Sequence, residues 1–185
     1  MTKLITYAQI APYKHITSNV NAAKFDIYNL QAQELDLRPL LGTELYWDLV
    51  DDFEASPSLV IYSDLYNGST YVKDTRSFKH EGLIPVMANF IYARYLASSG
   101  ASSTPWGMVQ KKQGDVSDPL SEKSLARMMG QAQSEALAYW ERVKIYLCDH
   151  TTEIPLYNRK AKSQSGIRIR GVGGNSNDYY RKRNY

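Results

Sequence analysis

Pro39, Pro57, Pro85 and Pro119 cut most of this chain into stretches in which apolar residues return every three to four positions. Helical periodicity between helix breakers confines a chain to helix-on-helix packing. From Asn19 to Leu37, Val20, Ala23, Ile27, Leu30 and Glu34 fall near one face, Phe25, Tyr28 and Leu35 widen it, and Ser18 or Asn19 is the candidate cap. Pro39 is predicted to end this helix, because the residue before a proline disfavours helical angles. Thr43 is predicted to cap a second helix that carries Leu45, Tyr46, Leu49 and Val50 and stops before Pro57. A third, short helix over 58–66 would turn Leu59, Tyr62, Leu65 and Tyr66 one way.

Glu81 to Ala97 reads as a buried helix, with Pro85 in the first turn, where its missing amide would go unpaired anyway. The longest helix is predicted to open with Asp118 as cap and Pro119 as first residue and to run to about Asp149, roughly 45 Å at 1.5 Å per residue. Two connections stand out. Residues 67–82, turn-rich at Asn67-Gly68 and carrying Tyr71, Val72 and Phe78, read as a loop or weak hairpin. Residues 98–117 read as a long polar loop around an apolar plug, Trp106-Gly107-Met108-Val109, and loops of that length inside a compact domain are often functional. The expected fold is all-α, a domain of four to five helices.

Charge divides the chain in two. Residues 1–158 carry 14 Lys+Arg against 18 Asp+Glu, net −4, while 159–185 carry 8 against 1, net +7. The division is therefore a helical domain over 1–158 and an extended basic arm over 159–185. Such an arm cannot bury enough apolar surface to offset its own ordering entropy, so a partner surface has to supply what the arm lacks. Fifteen tyrosines fit either a tyrosine-rich core or an interface. The single Cys148 rules out an internal disulfide and suits packing as a small hydrophobe. No apolar run is long enough for a signal peptide or a membrane span.

The residues that could carry chemistry do not assemble into a signature. Gly171-Val172-Gly173-Gly174 lacks the strand, helix and lysine of a phosphate loop. Cys148-Asp149-His150 is one short of a zinc set and suits a helix C-terminus, where a cationic His150 meets the dipole. Asp48, Asp51, Asp52 and Glu54 read as a solvated helix face rather than an acid-base pair. Neither an enzyme nor a cofactor or metal site is expected.

The arm is more informative. Ile167-Arg168-Ile169-Arg170 alternates with period two, so that an extended conformation puts both isoleucines on one side and both arginines on the other, as in a segment that adds to a sheet edge. An unstructured basic tail is the alternative. Tyr179-Tyr180-Arg181-Lys182-Arg183 interleaves rings with cations, a pattern that can stack on bases and pair with phosphates or lie on an acidic protein surface. A nucleic-acid-binding protein working through this arm is the competing reading.

Several segments together resemble the head-tail connector (head-completion adaptor) proteins of tailed bacteriophages. They are Leu40-Leu41-Gly42-Thr43-Glu44-Leu45-Tyr46, the tyrosine-bearing stretch from Ala88 to Leu96, the plug from Thr104 to Val109, and the long helix leading into Tyr146-Leu147 and Ile154-Pro155-Leu156-Tyr157. The resemblance implies a structural virion protein at the neck, a homo-oligomeric, dodecameric ring beneath the portal protein that joins capsid to tail and lets DNA pass without gripping its sequence. It implies that the arm residues Arg159, Lys160, Ile167, Arg168, Ile169, Arg170, Tyr179, Tyr180, Arg181 and Arg183 reach the portal or a neighbouring copy. Trp106 and Met108 would meet a neighbour or the next tail-side ring.

Overall fold

The computed structural model describes residues 2–14, 16, 22–55, 59–99, 101–104, 107–110 and 121–157, and within them the chain is mostly helical. The elements are α1 (Tyr7–Ile10), α2 (Ala22–Ala32), a π-helical turn (Gln33–Leu37), α3 (Arg38–Leu41), α4 (Thr43–Glu54) and α5 (Val60–Asn67). They continue with β1 (Ser69–Lys73), β2 (Arg76–His80), α6 (Leu83–Ser99), β3 (Ala101–Thr104), β4 (Gly107–Gln110) and α7 (Glu122–Asp149). The all-α expectation is thus corrected by two antiparallel hairpins, β1–β2 and β3–β4. In β1–β2, Tyr71 faces Phe78 and the turn falls at Asp74 and Thr75, both with positive φ. Asn67-Gly68, read from sequence as the turn, is instead the entrance to the hairpin. In β3–β4, Ser103 pairs with Met108.

Helix α6 is the centre. Leu83, Val86, Met87, Phe90, Ile91 and Leu96 are all buried although they point in different directions around the helix, the mark of a helix wrapped by others. Helix α7 packs along it most extensively, and α2 packs on it as well. A groove of about 150 Å³ shows their arrangement, with Phe90 and Ala93 of α6 as floor, Asp36 of the π turn as one wall and Met129 and Gln133 of α7 as the other. The order across the domain is α2, α6, α7.

Pro39 does not end the helical run that begins with α2. Helical backbone continues to Leu41, and Pro39 sits early in α3. The widened turn explains this: the Arg38 N–H bonds to the carbonyl of Gln33, five residues back, so the ladder has already changed register where the proline ring enters. The helical run stops at Gly42, whose φ of 89° suits glycine. Gly42, not Thr43, therefore occupies the cap of α4.

The face of α2 also differs from expectation. Phe25, Asn29, Ala32, Gln33 and Leu37 are buried, while Ile27 and Leu35 stand exposed. Asn29 and Gln33 face inward because they hold the N-terminal segment. Gln33 accepts from the Leu4 N–H at 2.9 Å and donates to the Thr2 carbonyl at 3.0 Å, and Asn29 donates to the Ile5 carbonyl at 2.7 Å. Backbone groups that no strand pairs are satisfied by amide side chains instead.

The start of the longest helix moves as well. Ser121 is its cap, accepting from the Ser124 N–H at 3.2 Å, and Asp118-Pro119 lies outside the described residues. At its other end Ile154 and Tyr157 tuck into the core after a turn. Cys148 packs against that core, as expected of a small hydrophobe. Among the described residues Tyr46, Tyr62, Tyr66, Tyr146 and Tyr157 are buried, five more tyrosines are partly buried against the core, and Tyr7 and Tyr13 are exposed.

Candidate interaction surfaces

None of the arm residues lies within the described part of the chain: Arg159, Lys160, Ile167, Arg168, Ile169, Arg170, Tyr179, Tyr180, Arg181 and Arg183 all fall outside it, as does Trp106. Met108 is placed in β4, so the expected loop is partly a hairpin. The surfaces that can be built from the residues upward are three; sequence reasoning singled out the carboxylates of the second and the Cys148-Asp149-His150 run of the first, but not the third.

The first is the docking of the β1–β2 hairpin on α7. His80 stacks on Tyr146 with centroids 4.1 Å apart, His150 lies 4.2 Å from the same tyrosine ring, and Tyr71 meets Tyr146 edge-on at 5.4 Å. The His80 Nε2 pairs with the Ser69 hydroxyl at 3.1 Å, while its Nδ1 is buried with no hydrogen-bond partner among the described residues. Burial accordingly pulls the His80 pKa below the usual histidine value. Asp149 takes the hydroxyl of Tyr71 at 3.0 Å and the ammonium of Lys73 at 2.5 Å; the Lys73 bond holds the carboxyl below its ordinary range. Burial, then the Asp149 contact, pushes the Tyr71 phenol up to about 12. His150 sends Nδ1 to the Tyr146 carbonyl at 3.0 Å, which caps the helix end. The Cys-Asp-His run is thereby occupied by latching and capping.

The neck of this hairpin is a close approach of two glycines. Gly68 and Gly82 have φ of 89° and 76°, and a β carbon on Gly82 would sit 2.4 Å from both the Gly68 nitrogen and the Tyr66 carbonyl oxygen. Only the absence of side chains lets the two strands start so near each other.

The second surface is the carboxylate cluster of α4. Asp48 accepts from the Tyr62 hydroxyl, Asp52 from the Leu59 N–H at 2.9 Å, and Glu54 from the Thr2 hydroxyl. Burial, together with the Asp48 contact, raises the Tyr62 phenol above its ordinary value. Asp48, Asp51 and Glu54 are exposed, in keeping with a solvated face, yet three of the four carboxylates also tie α4 to its neighbours. Beside them lies a cleft of about 210 Å³ lined by Leu49, Phe53, Tyr62 and Tyr66. Leu59, expected to face the core, is exposed at the start of α5.

The third comprises the outward sides of α2 and α7. Ile27 projects from α2 and Leu35 from the π turn that follows it, Leu137 and Ile145 from α7. Sequence reasoning counted Ile27 and Leu35 among the core positions, since apolar residues at helical spacing carry no mark of which side meets solvent. Ile145 had one detectable signal: on the helical wheel of α7 it falls opposite the stripe that includes Ala132, Ala136, Trp140 and Val143, whereas Leu137 falls at the edge of that stripe. Among the described residues no helix is long and apolar enough to cross a membrane.

A family model described as a family of unknown function, DUF6712, matches residues 37–167. That stretch runs from the end of the π turn past α7. No curated protein and no solved structure matches the chain.

Proposed function

The chain belongs to the DUF6712 family, whose function is unknown, and from that premise we propose that it is a structural adaptor of the head-tail connector of tailed bacteriophages. In this reading copies of the helical body form a dodecameric ring beneath the portal protein at the virion neck, and the basic arm clamps each body to the portal or to an adjacent copy. The role is structural rather than catalytic, and DNA passes through the ring. The next tail-side ring or a tail protein meets the opposite side.

The observation that carries the reading is the segregation of charge. A body of net −4 is followed by an arm of net +7, so that the arm of one copy is attracted to the body of any other. Ring symmetry then multiplies each weak arm contact by valency. The titratable groups of the body also act in ways that suit a scaffold: Asp48, Asp52, Asp149 and His150 join elements to one another or close a helix end.

End-on electron microscopy of the full chain co-expressed with the portal protein tests the proposal. An added ring of rotationally repeated density is expected, and truncation after Asn158 should leave a folded helical body that no longer joins it. A truncated protein that assembles normally would show the clamp to be wrong. The interleaved rings and cations from Tyr179 to Arg183 favour a second reading, nucleic-acid binding. That reading gains if no ring forms and the full chain binds DNA with an affinity that falls steeply with salt.

A further inference from the structure

The chain from Thr43 to Asn67, which folds into α4 and α5, carries Glu44, Asp48, Asp51, Asp52, Glu54 and Asp64 and no lysine, arginine or histidine. Those carboxylates outweigh the whole −4 of the body, so its excess negative charge resides on this helix pair. Among the described residues no ion pair engages Asp48, Asp51 or Glu54. The groups that donate to Asp48 and Glu54 are the uncharged hydroxyls of Tyr62 and Thr2. Lys3, beside Thr2, is taken by Asp26, and Arg38 by Glu34.

The same two helices enclose an apolar cleft. Leu49, Phe53, Tyr62 and Tyr66 wall the space of about 210 Å³, and Asp52 and Ala55 line its α4 side. Asp48 stands one helical turn before Asp52, and Asp51 one turn before Ala55, which sets carboxylates along that rim. Phe53 is 39% exposed and Val60 77% exposed, so the apolar surface continues outward from the cleft. Aromatic walls accept an aromatic ring edge-on or offset. A ligand matched to both features brings a ring together with cations; phosphate groups would be repelled by the rim.

We propose that the cleft between α4 and α5 receives the end of the basic arm, Tyr179 to Tyr185, from an adjacent copy of the chain. A tyrosine of the arm enters between Phe53, Tyr62 and Tyr66, while Arg181, Lys182 and Arg183 meet the carboxylates of the rim. The segment has the complementary composition, three tyrosines and three cations with no carboxylate among its seven residues. Residues 158–178, which join it to the body, can span at most about 70 Å. That exceeds the length of α7, about 42 Å, so the chain between them is long enough to reach a neighbour. Naming the cleft deepens the connector reading and rests on it for the copy that supplies the arm.

The test uses full-length chains. An equimolar mixture of Ala55→Cys and Tyr180→Cys chains, oxidised with and without the portal, should form a disulfide between positions 55 and 180 of different chains, mapped by peptide mass spectrometry. Cys148, present in both, reports random oxidation. Asp51→Arg should weaken self-association in sedimentation velocity at least about tenfold, as should Arg181→Asp, and a chain carrying both should associate more tightly than either. Asp51 is exposed, and circular dichroism establishes that each variant remains helical. A 55–180 bridge found only within a single chain that carries both cysteines would mean that the arm returns to its own body, and would overturn the proposal. An Asp51→Arg chain that associates like the parent would overturn it as well. Rings on the portal in either case would leave the connector reading standing. A parent that forms no ring on the portal, with no 55–180 bridge in the mixture, would overturn both.

Discussion

The imidazole of His80, at the end of β2, lies nearly parallel to the phenol of Tyr146 in α7, with centroids 4.1 Å apart and planes inclined by 27°. This contact makes a histidine part of the joint between hairpin and helix. Around it stand Asp64 of α5, Glu81, the neighbouring His150, Tyr71 and the Ser69 hydroxyl.

Because burial lowers the His80 pKa, the folded state favours the neutral ring. The stability this confers is complete above the unfolded value near 6.5 and is lost as pH falls through that value toward the lower folded pKa. Thermal midpoints between about pH 7.5 and 5.5 should fall on acidification, and His80→Phe, which keeps the stack and removes the titration, should flatten the slope. An unchanged slope in the variant would remove His80 from the account.

Gly82→Ala should destabilise the protein by more than about 1 kcal/mol, since the new β carbon would meet backbone at 2.4 Å on a residue with positive φ. Gly130→Ala should leave the monomer as stable or raise stability by up to about 1 kcal/mol. Urea midpoints separate the two; equal effects would mean that the neck is not constrained by contact.

Gln33→Ala strips two hydrogen bonds from the backbone of Thr2 and Leu4. A loss of roughly 1–3 kcal/mol is expected. Amide exchange of Leu4 should accelerate well beyond that of α6, and a protected Leu4 amide in the variant would show that the segment is held otherwise.

Asp149→Asn weakens the latch to Lys73 and Tyr71. With about half of the Lys73 side chain in solvent, the loss should be small and shrink further in salt. A larger, salt-insensitive loss would point to the Tyr71 bond as the dominant member.

How much of this was legible in the sequence follows from where each signal resides. The helices α4, α5, α6 and α7 were readable because their buried residues are mostly apolar and regularly spaced. The face of α2 was not, because two of its core positions are the amides Asn29 and Gln33, whose partners are backbone groups far away in the chain. Pro39 misled for a related reason: a register change by one residue in the preceding turn leaves no compositional trace. The residues of β3, Ala-Ser-Ser-Thr, are small and polar and resemble loop, and only pairing makes them a strand. Of the expected contact residues, Met108 alone received a place, and the outward sides of α2 and α7 emerged only when burial was known.

The paired glycines at the base of the β1–β2 hairpin fix where its strands leave and rejoin the helical body. A chain pinched at its neck tolerates a change of length at its far end, because strand entry and exit are set before the tip begins. The Asp74-Thr75 turn is accordingly the place to graft an epitope or a fluorescent label, giving a reporter whose position in an assembly can be imaged while the fold beneath it stays native.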